Sequence, residues 1–223
     1  MKNEKETIAK ILLNIKAVQV KVNPPFTWNT GFLAPIYCDN RLLISFPKER
    51  DLIVKGLKDL ITKNNLQFDV IAGTATAGIP WASFLAVALD KPMVYVRSHP
   101  KDYGAAKQVE GFMHVGSRVL IVEDLISTGR SSLTSVIACQ KECNAQIMGV
   151  LAIFDYQMER AKRSFLNAKI PLIALCDFST LVKVAVSENY LTEEEKRNSL
   201  SWGKDPEAWH KAHGGKEILT VKK

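Results

Sequence analysis

The sequence predicts an α/β fold: a mostly parallel central sheet flanked by helices, with a small cap built from the N-terminal segment. Three observations carry this. Short apolar runs such as Phe68 to Ala72, Pro92 to Val96, Arg118 to Val122, Ile147 to Phe154 and Leu172 to Leu175 alternate with helical segments. The runs are apolar without alternation, as strands buried on both faces must be. Gly78 to Leu89 is apolar on nearly every side, which suits a helix lying inside the protein and not on its surface.

Taken in order, Ile8, Ile11, Leu12, Ile15 and Val18 recur at helical spacing and predict a first helix reaching Val18. Asn23 to Asn40 holds three prolines and Gly31 and reads as irregular or short-stranded. Leu52, Ile53, Leu57, Leu60 and Ile61 mark a second amphipathic helix, ended near Lys63-Asn64-Asn65. The alternating strands and helices then run from Phe68 to a helix at Leu181 to Val186, with helices around Leu133 to Ile137 and over Gln157 to Ala168. Thr192-Glu193-Glu194-Glu195 is a capping-box pattern for a last helix. Beyond Ser201 no periodicity is visible, and Trp202 and Trp209 read as anchors docking that tail. The expected organisation is an N-terminal helix and cap over residues 1–45, a core over 46–190, and a C-terminal helix and tail over 191–223.

Composition excludes several classes. With 47% apolar and 24% charged residues in 223, neither disorder nor a fibrous repeat is expected. No apolar run approaches the ~20 residues that span a bilayer, and Met1 to Glu6 lacks a secretory signal's apolar core, so a cytoplasmic protein without membrane partners is expected. Cys38, Cys139, Cys143 and Cys176 contain no C-x-x-C pair; the Cys139/Cys143 spacing reads as core packing and not as a zinc site. His210 and His213 sit in a polar tail and read as solvated. The net charge of +7 comes from scattered Lys and Arg, which fits a solvated surface and an anionic substrate better than nucleic acid.

The chemistry concentrates in Val119 to Ser132. A buried strand delivers Glu123 and Asp124 toward its C-terminal end, where open α/β sheets bind ligands. Leu125 and Ile126 follow, then a Ser127-Thr128-Gly129-Arg130-Ser131 turn and a helix start. Backbone N–H groups and hydroxyls at such a helix start form an anion cradle, and glycine permits the tight turn around a phosphate. Carboxylates accept hydrogen bonds from sugar hydroxyls, so the pair beside the cradle suits a ribose 5-phosphate. Neither G-x-x-x-x-G-K-[ST] nor G-x-G-x-x-G occurs. Upstream, Gly73 to Pro80 is a small-residue loop that could admit a pyrophosphate closely or could simply be a tightly packed turn. Ser98 to Gly116 is a long connection holding three glycines, with Arg97 and Lys101 able to clamp negative charge.

The Val119 to Ser132 segment resembles the phosphoribosyl pyrophosphate (PRPP) signature of type I phosphoribosyltransferases. Three further segments are similar to orotate phosphoribosyltransferases: Phe26 to Arg41 to their N-terminal substrate-recognition segment, Gly73 to Pro80 to their pyrophosphate loop, and Arg97 to Gly111 to their mobile catalytic loop. The resemblance implies a type I phosphoribosyltransferase-like fold and transfer of phosphoribosyl from PRPP to orotate. It implies Mg²⁺ held mainly by substrate and water with no direct protein ligand, and a homodimer with shared active sites. It assigns catalysis to Lys101, Arg97 and Asp124. PRPP binding falls to Arg97, Lys101, Tyr103, Glu123, Asp124, Leu125, Ile126, Ser127, Thr128, Gly129, Arg130 and Ser131, with Ser127 also near orotate. The chain departs from the family pattern at Asn29, Ser98, Tyr103 and Tyr156, which leaves the base contacts open. A purine or uracil transferase of the same fold, and a PRPP-sensing regulator without catalysis, are the alternatives; the Phe26 to Arg41 segment and Lys101 argue against them.

Overall fold

The chain folds into two units. The computed structural model describes residues 2–100 and 107–216. One compact unit is formed by the chain ends, up to Asp39 and from Asp177 onward, and the other by Asn40–Cys176.

The chain opens with α1 (Lys2–Asn14), β1 (Val18–Val20), β2 (Phe26–Thr27), β3 (Leu33–Ala34) and β4 (Ile36–Cys38). The first helix is shorter than its periodicity predicts. Lys16 takes a left-handed φ of 58°, which ends the helical hydrogen bonding, and Val18 opens β1 instead. Two small antiparallel pairs, β1 with β4 and β2 with β3, give Asn23 to Asn40 the short-stranded form, one of its two expected readings.

In the second unit a 3-10 turn (Asn40–Ser45) leads to α2 (Pro47–Lys63), β5 (Val70–Thr74), α3 (Gly78–Leu89), β6 (Met93–Val96) and β7 (Val109–Glu110). Then come β8 (Arg118–Ile126), α4 (Arg130–Cys143), β9 (Gln146–Asp155), α5 (Glu159–Ala168) and β10 (Leu172–Asp177). The six strands form one sheet in the order β10-β9-β8-β5-β6-β7. The β9–β8, β8–β5 and β5–β6 pairs are parallel, and β7 turns back antiparallel on β6. The expected mostly parallel α/β fold is therefore present.

Two glycines set the spacing of this core. A Cβ at Gly73 would lie 2.9 Å from the Ala82 Cβ, and one at Gly78 would lie 2.5 Å from the Val122 carbonyl oxygen. Helix α3, apolar all round, can approach the sheet this closely only because both residues lack a side chain. Trp81, Ala82 and Leu85 are buried beneath it, and all five residues of β5 are buried.

The remaining helices belong to the first unit: α6 (Phe178–Ser187), α7 (Glu193–Lys204) and α8 (Pro206–Ala212). Helix α6, which the sequence assigns to the core, packs on α1 within that unit. Its N-cap Asp177 accepts the Thr180 N–H at 2.9 Å and pairs with Lys5 at 2.5 Å. The predicted capping box is formed: the Thr192 hydroxyl accepts the Glu195 N–H at 3.1 Å while the Glu195 carboxylate accepts the Thr192 N–H at 2.8 Å. Helix α8 corrects the expectation of an irregular tail. At seven residues it is too short to show a period, but Asp205 caps it and Pro206 starts it. Trp202 and Trp209 are buried, as expected of anchors.

Candidate active site

Strand order places the site. From β5 the chain moves outward to β6, and from β8 it moves the other way to β9, so the connections diverge between β5 and β8. At such a switch point the loops leave a crevice beyond the strand ends. The loops that open there follow Thr74 and Ile126.

Pairing of β5 with β8 ends at Gly73↔Val122, while β9 accompanies β8 to Ile126. Glu123 and Asp124 thus emerge where β8 has lost its neighbour on one edge. The Asp124 carbonyl on that edge accepts from the Asn40 amide at 2.8 Å. Asn40 is buried at 1% exposure, and nothing in the sequence pattern marks it, because its partner lies 84 positions away.

Alternation along the strand separates the two carboxylates. Glu123 is buried, and its Oε2 accepts the Ser131 hydroxyl at 3.0 Å and the Ser132 hydroxyl at 3.2 Å. Its Oε1 accepts the Asp124 N–H at 3.2 Å. Asp124 is half-buried, with the charge of Arg41 acting on it. Burial pushes the Glu123 carboxyl well above the ordinary range, and the neighbouring Asp124 charge pushes it further. Burial raises Asp124 as well, opposed by a hydrogen bond from Glu123, by backbone amides and by Arg41. Two acids this close resist ionising together, and the deeper burial of Glu123 favours the proton there.

Helix α4 begins at Arg130 behind Gly129, which has a left-handed φ of 76° and a backbone held against Phe165. No side chain caps this helix, so the first-turn N–H groups face the crevice as an anion site. Ser127 and Thr128 are half-buried beside it, and Arg130 and Ser131 are exposed. Ile126 is buried at 1% exposure and packs in the core, and its carbonyl accepts the Tyr156 N–H at 2.9 Å. Leu125 is half-buried on the strand opposite Phe154. Across the crevice, Thr74 is buried with no hydrogen-bond partner for its hydroxyl among the described residues, ahead of a cis Ala75–Thr76 peptide.

Arg97 stands at the head of the long loop, its N–H donated to the Gln108 carbonyl at 2.9 Å and its guanidinium 3.5 Å from Glu110. The returning strand is held from α4, because the Glu142 carboxylate accepts the N–H groups of Gln108 at 2.7 Å and Val109 at 3.1 Å. Sequence reasoning missed Glu142 as it missed Asn40. Lys101 and Tyr103 lie outside the described residues. None of the four cysteines is joined in a disulfide, and burial pushes the Cys139 thiol up to about 12, so it is packed and inert.

Comparison with known proteins now decides the family. The phosphoribosyl transferase domain family matches residues 48–174. An orotate phosphoribosyltransferase of Coxiella burnetii is 49% identical over 207 residues, covering 93% of this chain and 99% of that one. The chain belongs to the orotate phosphoribosyltransferase family. Among solved structures, orotate phosphoribosyltransferase from Aeropyrum pernix superposes with a TM-score of 0.67 at 26% identity, covering 79% of this chain and 97% of that one. The Mycobacterium tuberculosis orotate phosphoribosyltransferase in complex with PRPP shares the fold, with a TM-score of 0.63 at 22% identity, covering 80% of this chain and 98% of that one. Membership of the orotate phosphoribosyltransferase family makes the protein a glycosyl-transferring enzyme. No helix among the described residues is long and apolar enough to cross a membrane.

Proposed function

We propose that this protein transfers the 5-phosphoribosyl group of PRPP to N1 of orotate, giving orotidine 5′-phosphate and pyrophosphate, as a step of pyrimidine nucleotide synthesis in the cytoplasm. The observation that carries the reading is the crevice between β5 and β8, where an acidic pair adjoins an uncapped helix start.

The uncapped N-terminus of α4 takes the 5′-phosphate, with hydroxyls from Ser127, Thr128 and Ser131. Asp124, the more exposed acid, holds the ribose hydroxyls and supports positive charge developing at the anomeric carbon. Glu123 shares the hold on the ribose hydroxyls from beneath, and its bonds to Ser131 and Ser132 fix the cradle for the phosphate. Arg97, with Lys101 and Tyr103, meets the negative charge of a leaving pyrophosphate. Orotate N1 is acidic enough to arrive deprotonated, so catalysis rests on positioning and charge stabilisation.

Mg²⁺ fits this donor set. Among the described residues no three metal-ligating side chains cluster, and Mg²⁺ commonly keeps waters and binds through one or two carboxylates plus phosphate oxygens. Asp124 is the residue placed to meet it, directly or through water, and the ion would supply charge neutralisation on the pyrophosphate. We further propose a homodimer in which Lys101 serves the partner's site.

The test is loss of orotate absorbance with PRPP and Mg²⁺, run beside hypoxanthine, adenine and uracil. Turnover confined to orotate is expected. Turnover of a purine or of uracil instead would replace the acceptor, and PRPP binding without any turnover would favour a sensor.

A further inference from the structure

His210 departs furthest from its sequence expectation. Placed in a polar tail, it is nonetheless buried at 4% exposure. Its Nδ1 accepts the Leu33 N–H at 2.9 Å, and its Nε2 lies 2.9 Å from the Lys216 carbonyl oxygen. An amide N–H can only donate and a carbonyl can only accept, so the ring is the neutral Nε2–H tautomer. The imidazole also stacks on Phe32, with centroids 4.6 Å apart and planes 10° from parallel.

Leu33 belongs to the β2–β3 hairpin, whose turn is closed by Trp28 N–H to the Phe32 carbonyl and Gly31 N–H to the Trp28 carbonyl, both 2.8 Å. The turn's tip, Asn29-Thr30-Gly31, is exposed. Its base is gripped at two further points. The Trp28 indole donates to the Ile36 carbonyl at 3.0 Å, and it meets Trp202 of α7 edge-on at 5.8 Å. The α7–α8 pair is itself tied together, since the Trp209 indole donates to the Asn198 side-chain Oδ1 at 2.6 Å and stacks on His213 at 3.6 Å. A two-strand, two-residue hairpin is not stable alone in water. Its shape is therefore imposed by the helices beneath it.

We infer that the α7–α8 pair is an acceptor-positioning element, and that His210 is the positioning residue through which it sets the Phe26–Ala34 hairpin for the incoming base. This rests on the proposed function and on the resemblance of Phe26 to Arg41, which contains that hairpin, to a substrate-recognition segment. His210 touches no substrate. It acts through the Leu33 amide, so its effect falls on the acceptor and leaves PRPP, bound at α4, untouched.

Two polar substitutions separate the bonds. His210→Asn carries its Oδ1 near the imidazole Nδ1 position and can accept from Leu33. His210→Gln places its amide near the Nε2 position and leaves the Leu33 N–H without an acceptor. With the full chain, His210→Gln should raise the orotate KM roughly five- to tenfold, the effect of one lost hydrogen bond, with the PRPP KM within about twofold. His210→Asn should recover most of that loss. An unchanged orotate KM in His210→Gln, equal rises in both KM values, or no advantage of Asn over Gln would overturn the inference. Hydrogen exchange at the Leu33 amide needs no substrate: protection in wild type and His210→Asn with loss in His210→Gln is expected, and equal protection in all three would refute the brace. A wild-type protein that ignores orotate would instead overturn the proposed function, and the Leu33 exchange pattern keeps the two failures apart.

Discussion

Alternation along β8 gives Glu123 and Asp124, neighbours in sequence, unlike burial and unlike tasks. Glu123 is bound by two serine hydroxyls and retains a proton, while Asp124 is half-exposed and carries the negative charge. Two predictions follow from that division. Asp124→Asn should lower kcat by about 10²-fold or more, because a neutral amide cannot stabilise cationic character at the sugar. Steady-state kinetics beside an unchanged circular-dichroism spectrum would check it, and near-wild-type kcat would remove Asp124 from the mechanism. Glu123→Gln should instead alter stability against pH. The folded Glu123 binds its proton more tightly than the ordinary value of 4.5 allows, so its contribution is fully present below pH 4.5. That contribution falls as pH rises from there toward the raised value, because the folded state then holds a proton the unfolded state has released. Glutamine has no proton to lose. The ligand-free melting temperature of Glu123→Gln should therefore gain on wild type as pH is raised, and parallel curves would contradict the assignment.

At the scale of elements, the approach of α3 to β8 is the tightest constraint near the site. A Gly78→Ala methyl would sit 2.5 Å from a backbone carbonyl oxygen, which cannot swing aside as a side chain can. The helix or the strand must shift, at a cost of about 1–3 kcal/mol. A fall in melting temperature of several degrees with a weakened PRPP KM is expected, and a neutral effect in thermal unfolding would show that the packing is looser than drawn. The same residue explains what was legible. Gly78 to Leu89 announced a helix packed on the sheet because its composition is apolar throughout, although its last turn lies at the surface with Val87 86% exposed, and Val119 to Ser132 announced the proposed phosphate site because its groups are contiguous. Asn40, Glu142 and His210 were illegible for the opposite reason: each makes its decisive bond to a backbone group 84, 33 to 34 or 177 positions away, and a backbone amide has no sequence signature. Helix α8 escaped because seven residues carry too few apolar positions for a period, and α1 seemed too long because Val18 fits a helical face and a strand equally well.

At the scale of the whole molecule, the question is whether one chain builds one complete site. If Lys101 serves the partner's site, Lys101→Ala and Asp124→Asn each give an inactive homodimer, but they fail in different halves of a composite. Mixing the two mutants, with mild denaturation and refolding, lets subunits exchange. In a mixed dimer one site takes its loop from the Lys101→Ala chain and its PRPP pocket from the Asp124→Asn chain, and is doubly defective. Two-fold symmetry makes the other site intact in both halves. Random re-pairing leaves about half the dimers mixed, each with one good site of two, so roughly a quarter of wild-type activity should return. Each mutant refolded alone supplies the baseline. No gain over it, with heterodimers demonstrated by native mass spectrometry, would mean that each chain completes its own site. Recovery could arise in no arrangement that keeps Lys101 and Asp124 of one chain together, because every site in the mixture would then carry one of the two defects.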